Sequence, residues 1–390
     1  MRILRGLFAL IVLGATGFFV FGPGIADRMQ NPVTVHDPWP VSPAAKAMHE
    51  RLIIGDLHAD ALLWNRDLTK RWTRGQVDLP RLAEGNVAVQ VFTTVTKSPS
   101  GLNYEENAAD ARDDVTLLYI GQLRPFRSWR DLTERALEQA RQLERAERKA
   151  PEALKIVRSR ADLAEVMRRR GEGEQVVGGI LGVEGGHALM GEIGNLGRLY
   201  DAGFRLIGLT HFFDNALGAS LHGEAGGDKG LTKFGRQVVQ KMVEKQMIID
   251  LAHASPTMAR EVLGMVDVPV VVSHTGIRSH CDTVRNFPDD LMRDIAAKGG
   301  LIGIGYWADV TCDDTPAGIA GAIIAAIGVV GADHVALGSD FDGAVRTSFD
   351  TSELAALTQA LIDRGLDEAV IAKVMGGNMI RFLQEALPEA

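Results

Sequence analysis

The sequence predicts an α/β protein built as a (β/α)8 TIM barrel, and three observations lead to this prediction. First, eight short runs of apolar, often β-branched residues recur along the chain, as parallel strands buried on both faces require. Second, amphipathic helical patterns lie between most of these runs. Third, six of the eight runs lead into a residue that can bind a metal, and barrel active sites form at the carboxyl ends of the strands. A doubly wound open sheet is the main alternative.

The first 26 residues differ from the rest of the chain and have the composition of an export signal. Arg2 and Arg5 precede an uncharged apolar run from Gly6 to about Ala26. Gly24 and Ala26 form the small-x-small pattern of a signal-peptide cleavage site, but a run of about 20 apolar residues could also stay as a membrane anchor. In both cases the positive-inside rule predicts an exported body, either periplasmic or anchored and facing the periplasmic or extracellular side.

Residues 27–390 are expected to form one barrel domain. Its predicted strands are Leu52–Gly55, Val87–Val95, Val176–Val183, Arg205–Leu209, Met247–Leu251, Val268–Val272, Leu301–Ile304 and Val335–Leu337. Helices are predicted between them, for example over Asp289–Lys298, which has an acidic start and ends at Gly299. The charged stretch 101–175 is interpreted as a helical excursion with solvated Arg and Glu faces, as in Asp131–Lys149.

Composition limits the class of partner. The chain has 390 residues, 46% of them hydrophobic, which is enough to bury a large core. Its net charge is -8 with both signs mixed along the chain, whereas a nucleic-acid surface needs a basic patch. We therefore expect a small-molecule substrate and no nucleic-acid partner. The sequence does not determine the oligomeric state and leaves a homodimer open.

Potential metal ligands follow the predicted strands at the mouth of the barrel. They are His58, Asp60, Glu184, His211, His253, His274 and Asp340. Side chains two apart on an extended strand point the same way, so His58 and Asp60 can bind one cation together. Four histidines and three carboxylates exceed the needs of one tetrahedral zinc, which predicts two cations with a shared carboxylate. Glu184 is the natural bridge between the two groups of ligands.

A set of short segments follows the predicted strands, in the order DLHAD, GVEGGH, LTH, DLAH, SHTG, VRNFPDD, GSDFDG and GGN. In this set the chain resembles the membrane (renal-type) dipeptidases, the M19 peptidases of the amidohydrolase superfamily. The resemblance covers roughly residues 48 to 385. It implies a barrel with two Zn²⁺ per chain that cleaves dipeptides, and it is more specific for the family than for the substrate.

The resemblance also implies a role for each matching residue. One zinc is held by His58, Asp60 and Glu184, and the other by Glu184, His253 and His274. His211 is expected to contact the substrate or the tetrahedral intermediate. Arg285 is expected to pair with the terminal carboxylate of the substrate, although it could instead cap the following helix. Asp340 is the expected proton carrier, with Asp342 as the weaker candidate.

The predicted function is zinc-dependent hydrolysis of dipeptides, in which a hydroxide shared by two zincs attacks the amide carbonyl. One departure leaves the substrate open: LTH is followed by FFDNALGASLHGE, where the dipeptidases carry a CNTPW-like stretch. The alternative is a hydrolase of the same superfamily that acts on N-acyl amino acids, lactones or β-lactams. A binding protein that kept the fold without catalysis is the third hypothesis.

Cys281 and Cys312 are expected to form a disulfide. They lie in the loops after the sixth and seventh predicted strands, which meet at the same mouth of a barrel. Export would place both in an oxidising compartment. Two free thiols, one of them near a metal, are the alternative.

Overall fold

The computed structural model describes residues 2–226 and 229–389 and contains a closed parallel barrel. Eight strands close it in the order β1-β2-β4-β5-β6-β7-β8-β9, with β9 pairing back to β1. The strands are β1 Ile54–Ala59, β2 Val87–Val95, β3 Leu154–Ile156, β4 Val177–Glu184, β5 Phe204–Gly208, β6 Ile248–Asp250, β7 Val271–Thr275, β8 Leu301–Ile304 and β9 Val335–Leu337. The barrel prediction is confirmed, and the open-sheet alternative is wrong because β2 and β4 pair along seven residues and close the sheet.

Helices surround the barrel and cover its strands. They are α1 Arg2–Thr16, α2 Gly22–Gln30, α3 Pro43–Arg51, α4 Leu79–Glu84, α5 Asp114–Gly121, α6 Leu132–Lys149, α7 Arg160–Gly171, α8 Gly194–Asp201, α9 Lys233–Glu244, α10 Pro256–Met265, α11 Asp289–Ala297, α12 Ala308–Thr311, α13 Pro316–Val330, α14 Ala355–Asp363, α15 Glu368–Ala372 and α16 Asn378–Ala386. Many begin after a Ser, Thr or Asp whose side chain accepts a hydrogen bond from the first turn, as at Asp131 and Ser255. The predicted helix Asp289–Lys298 is α11, one residue shorter.

The excursion between the second and third predicted strands is more buried than its charge suggested. It contains an unpredicted strand, β3, which pairs with the first residues of β4. Arg135 on α6 is fully buried and donates to the carbonyl oxygens of Ser128 and Trp129, while it pairs with Asp113. The interpretation of α6 as a helix with solvated Arg faces is therefore wrong at Arg135, because these partners satisfy a buried guanidinium.

Some strands extend further towards the mouth than predicted. His58 lies inside β1, Glu184 is the last residue of β4, and His274 lies inside β7. Strand pairing continues past the apolar runs here, since Ala59 pairs with Phe92. These three side chains are thus held by strand backbone, whereas Asp60, His211, His253 and Asp340 follow the last residues of their strands.

The N-terminal segment packs onto the barrel mouth through Asp27 of α2 and the residue that follows this helix, Asn31. Asp27 is buried and its Oδ2 lies 2.8 Å from Nε of Arg74 and 3.2 Å from Nε of Arg66. Asn31 Oδ1 accepts a hydrogen bond from the backbone N–H of Ala344 at 3.0 Å. Among the described residues, none of the helices is both long enough and apolar enough to cross a bilayer.

The predicted disulfide is present between Cys281 and Cys312, whose Cα atoms are 5.5 Å apart. The alternative of two free thiols is wrong. Asn286, next to Arg285, donates to the carbonyl oxygens of Cys281 at 2.8 Å and Val310 at 3.0 Å. The disulfide and the side-chain amide of Asn286 together connect the loop after β7 to the loop after β8.

Removing this bond is expected to destabilise the fold. The bond closes a loop with a sequence separation of 31, which in the chain-entropy model contributes roughly 3 to 4 kcal/mol to stability. We predict a loss of that size for Cys281→Ser combined with Cys312→Ser, measured by urea unfolding against the oxidised wild type. Thiol titration of unreduced, denatured wild type should give no free thiol, and two per chain would contradict the bond.

Candidate metal centre

All seven predicted ligand-type side chains meet in one buried cluster at the carboxyl ends of the strands. Glu184 lies at its centre: Oε1 is 3.5 Å from Nε2 of His58, and 3.3 Å from Nε2 of both His253 and His274. Its other oxygen, Oε2, is 3.4 Å from Nε2 of His211. The central position predicted for Glu184 is thus the one that the structure gives it.

Two further carboxylates approach His58 from the other side. Asp60 Oδ1 lies 3.6 Å and Asp340 Oδ1 lies 3.7 Å from Nε2 of His58. Thr93 donates a hydrogen bond of 2.5 Å to Asp60 Oδ1 and so fixes this carboxylate. Next to Asp340, a Cβ at Gly343 would collide with the carboxylate, so glycine is needed there.

These distances fit ligands that share a metal. Donor atoms 2.0–2.1 Å from a tetrahedral zinc lie about 3.3 Å from one another. The pairs around Glu184 range from 3.3 to 3.5 Å, and Nε2 of His253 lies 3.0 Å from Nε2 of His274. Three groups of potential ligands result: His58, Glu184 and His274; Glu184, His211 and His253; His58, Asp60 and Asp340. They divide the residues differently from the resemblance: His58 and His274, whose rings are 3.8 Å apart, share one group, and His211 and Asp340 join the other two.

Hydrogen bonds outside the cluster orient two of the imidazoles. Ser273 Oγ lies 3.1 Å from Nδ1 of His58 and 2.9 Å from Nδ1 of His274, and it donates to Asp250 Oδ2 at 2.6 Å. With its own proton given to Asp250, the hydroxyl accepts from both rings, which leaves their Nε2 lone pairs to face the cluster. Nε2 of His58 is buried and has no hydrogen-bond partner among the described residues. Such an orphaned atom fits a metal ligand.

Burial sets the protonation of the cluster. It lowers the pKa of His253 and His274 well below the ordinary value, so both rings are neutral at pH 7, as metal ligands must be. It raises the pKa of Glu184 well above the ordinary value, and Asp60 raises it further. Burial alone would lower the pKa of His58, but Glu184 and Asp60 raise it to about 10. These shifts reflect acidic charge crowded away from water, which a cation would neutralise.

Arg285 lies beside the cluster and keeps unpaired hydrogen-bond donors. Its guanidinium is buried, and Nη2 donates to the carbonyl oxygen of His274 at 2.7 Å and approaches Nε2 of His253 at 3.4 Å. Nε and Nη1 have no hydrogen-bond partner within the described part of the chain. The helix-capping alternative is not what the structure shows, because the N-cap of α11 is Pro288 without a side-chain cap. A buried guanidinium with unpaired N–H donors suits an anionic partner such as a carboxylate.

A small cavity of about 120 Å³ opens above the cluster. The polar residues that line it are Asp60, Glu184, His211, His253, Arg285 and Asp340, and the apolar ones include Leu63, Val95, Leu102, Val115, Phe212, Trp307 and Val345. Tyr104 completes the rim, where its hydroxyl accepts from Nε1 of Trp307 at 2.9 Å. A cavity lined by convergent polar groups together with apolar side chains is typical of a small-molecule site.

The residues that surround the ligands were not predicted from the sequence. Ser273 and Asp250 stand inside the VVSH and DLAH segments, so their position beside His274 and His253 was a usable signal. Tyr104 and Trp307 gave no such signal, because they come from loops that follow different strands and meet only in the fold.

Comparison with known proteins decides the family. The model of the membrane dipeptidase family, peptidase family M19, matches residues 43–388. The chain belongs to this family. It is therefore a hydrolase of the metallo-dipeptidase type, as the resemblance predicted, and metal dependence follows from the family.

Individual relatives agree with this family. Dipeptidase aclJ of Aspergillus oryzae is 28% identical over 357 residues, which cover 85% of this chain and 78% of that protein. Dipeptidase AC, a metallopeptidase of family M19, has the same fold with a TM-score of 0.73 at 24% identity, over 86% of this chain and 98% of its own. A Rhodobacter sphaeroides metallopeptidase, solved with a phosphinate mimic of the dipeptide L-Ala-D-Ala, has a TM-score of 0.72 at 23% identity. The match covers 86% of this chain and 99% of that chain.

Proposed function

We propose that this M19 family member is an exported, zinc-dependent dipeptidase that holds two Zn²⁺ per chain. The observation that carries the proposal is the convergence of His58, His253 and His274 on one oxygen of Glu184 at 3.3 to 3.5 Å. We assign one zinc to His58, Asp60 and Glu184, and the other to Glu184, His253 and His274. Imidazole and carboxylate donors at these spacings fit zinc. When bound, the zinc ions would polarise the scissile carbonyl and make water a stronger nucleophile near pH 7.

The remaining polar groups would handle the substrate and the proton. Arg285 would bind the terminal carboxylate through its buried positive charge and a free N–H donor. In the metal-free site, burial away from water raises the pKa of Asp340 to about 8. Asp340 would take the proton of the attacking water and return it to the amine that leaves. His211 would contact the substrate, and burial lowers its pKa to about 4, which keeps the ring neutral.

Hydrolysis of dipeptides by the purified chain tests the proposal. The protein, loaded with zinc, is incubated with L,L and L,D dipeptides, and the released amino acids are measured. We expect activity that is lost with a chelator and regained with zinc. Absence of hydrolysis across the whole panel by protein that carries zinc would overturn the proposal.

A second candidate is an N-acyl amino acid hydrolase. The observation that favours it is Phe212, from the stretch that departs from the dipeptidases, which adds to the apolar lining of the cavity. Acetylating the amino group of a good dipeptide separates the two candidates. A dipeptidase should lose activity on the acetylated compound, whereas an acylase should prefer it.

Replacing Arg285 with lysine is expected to raise KM roughly 10-fold with little change in kcat, because a point charge replaces two directed donors. Steady-state kinetics on one dipeptide measures the effect. Amidation of the substrate's terminal carboxylate should weaken wild-type binding similarly. A wild type that is indifferent to amidation would show that Arg285 only supports its loop.

Export rests on the N-terminal pattern and agrees with the disulfide, a bond typical of oxidising compartments. We propose a periplasmic or anchored enzyme, with contact to the membrane only through residues 1–26 if these stay uncleaved. Fractionation of expressing cells, with N-terminal sequencing, tests this. Full-length protein confined to the cytosol would contradict export.

A further inference from the structure

The loop that carries Asp340 has a backbone that its own residues do not favour. Asp340, Asp342 and Ala344 have φ values of 59°, 63° and 63°, so three non-glycine residues in five adopt the left-handed conformation. Side chains with a Cβ rarely adopt it, and such conformations persist only where surrounding contacts enforce them. Something outside the loop must hold it in place.

Asp342 makes several of the contacts that fix this loop. Its carboxylate accepts hydrogen bonds from the backbone N–H of Gln76 at 2.8 Å and of Val77 at 3.1 Å, and it pairs with Nη2 of Arg66 at 2.5 Å. The amide of Asp342 donates to Oε1 of Gln76 at 2.6 Å, and its carbonyl oxygen accepts from Nε1 of Trp64 at 2.7 Å. With these partners engaged, Asp342 is fully buried and is absent from the lining of the cavity that Asp340 faces.

These contacts continue to the segment that follows the predicted export signal. Arg66, paired with Asp342, also faces Asp27 through Nε at 3.2 Å. Asn31 donates to Asp27 at 3.0 Å and accepts from the amide of Ala344 at 3.0 Å. Asp27, Arg66 and Asp342 are each at most 5% exposed, so the chain of contacts is screened from solvent.

We propose that the buried array Asp27, Arg66 and Asp342 positions the loop after β9 so that the Asp340 carboxylate points into the cavity. Arg66 and Asp342 are positioning residues, and the proposal rests on the proposed role of Asp340. It also assigns a task to residues 27–31: the start of the exported body helps to shape the catalytic loop.

The test compares Asp342→Asn and Arg66→Lys with Glu138→Gln in the full chain. Glu138 is a matched control, since it is a buried carboxylate paired with Arg141 at 2.9 Å and Arg145 at 3.1 Å on α6, away from the site. We expect roughly 10- to 100-fold lower kcat for both array variants, with KM and zinc content near wild type, because a displaced proton carrier slows the chemical step. Glu138→Gln should keep kcat even if it unfolds at a similarly lowered temperature.

The double variant Asp342→Asn with Arg66→Lys separates positioning from direct catalysis. Residues that act as one unit are not additive, so the double variant should be no slower than the slower single variant. A loss of kcat in Asp342→Asn but not in Arg66→Lys would make Asp342 itself the proton carrier and overturn the proposal. An unchanged kcat in both single variants would also overturn the positioning role. The proposed function would be unaffected as long as the wild type hydrolyses dipeptides. If Asp342→Asn fails to fold, Asn31→Ala replaces it, with a smaller loss of kcat expected.

Discussion

Replacing Glu184 with glutamine is expected to abolish most activity and to release metal. Glu184 lies within 3.5 Å of four histidines, and an amide can offer only one neutral oxygen where a carboxylate offers two charged ones. We predict less than two zinc per chain after dialysis and a fall in kcat of roughly 10³-fold or more, on the scale of several kcal/mol of lost transition-state stabilisation.

Metal analysis and steady-state kinetics on the same preparation check this prediction. Glu192→Gln is the control, because Glu192 is an exposed acid that follows the same strand. Two retained zinc ions with near-normal turnover in Glu184→Gln would show that another residue joins the metals.

Replacing Asp340 with asparagine is expected to leave the metals bound while kcat falls by roughly 10²-fold or more, the scale for removing a general base. Asp340 is the carboxylate of its loop that lines the cavity, whereas Asp342 is engaged by Arg66. The measurement is kcat with zinc content for Asp340→Asn beside Asp342→Asn. The larger loss of kcat is expected for Asp340→Asn. A nearly normal kcat in Asp340→Asn, together with an inactive Asp342→Asn, would show that Asp342 is the general base.

The sequence was sufficient for the barrel and for the cluster because both depend on local signals. Apolar runs mark strands buried on both faces, and a ligand-type residue at each strand end must come to the common mouth once the barrel closes. The disulfide followed by the same reasoning, since neighbouring strands bring Cys281 and Cys312 together. The strand ends were less certain, because His58 and His274 are polar yet remain inside the sheet.

What the sequence did not predict depends on contacts between distant segments. The charged residues of α6 predicted a solvent-exposed helix, but Arg135 is buried, because carbonyl oxygens and Asp113 surround it in the fold. Similarly, nothing near Asp27 indicates that it pairs with Arg66, 39 positions along the chain. Such polar contacts leave no periodic pattern, so only the structure could reveal them.

Anomalous X-ray diffraction from crystals of the zinc-loaded enzyme, measured on both sides of the zinc edge, tests the central claim most directly. We expect two zinc peaks per chain that share Glu184, one next to His58 and Asp60 and the other next to His253 and His274. A single peak, or two peaks of which one does not contact Glu184, would contradict it.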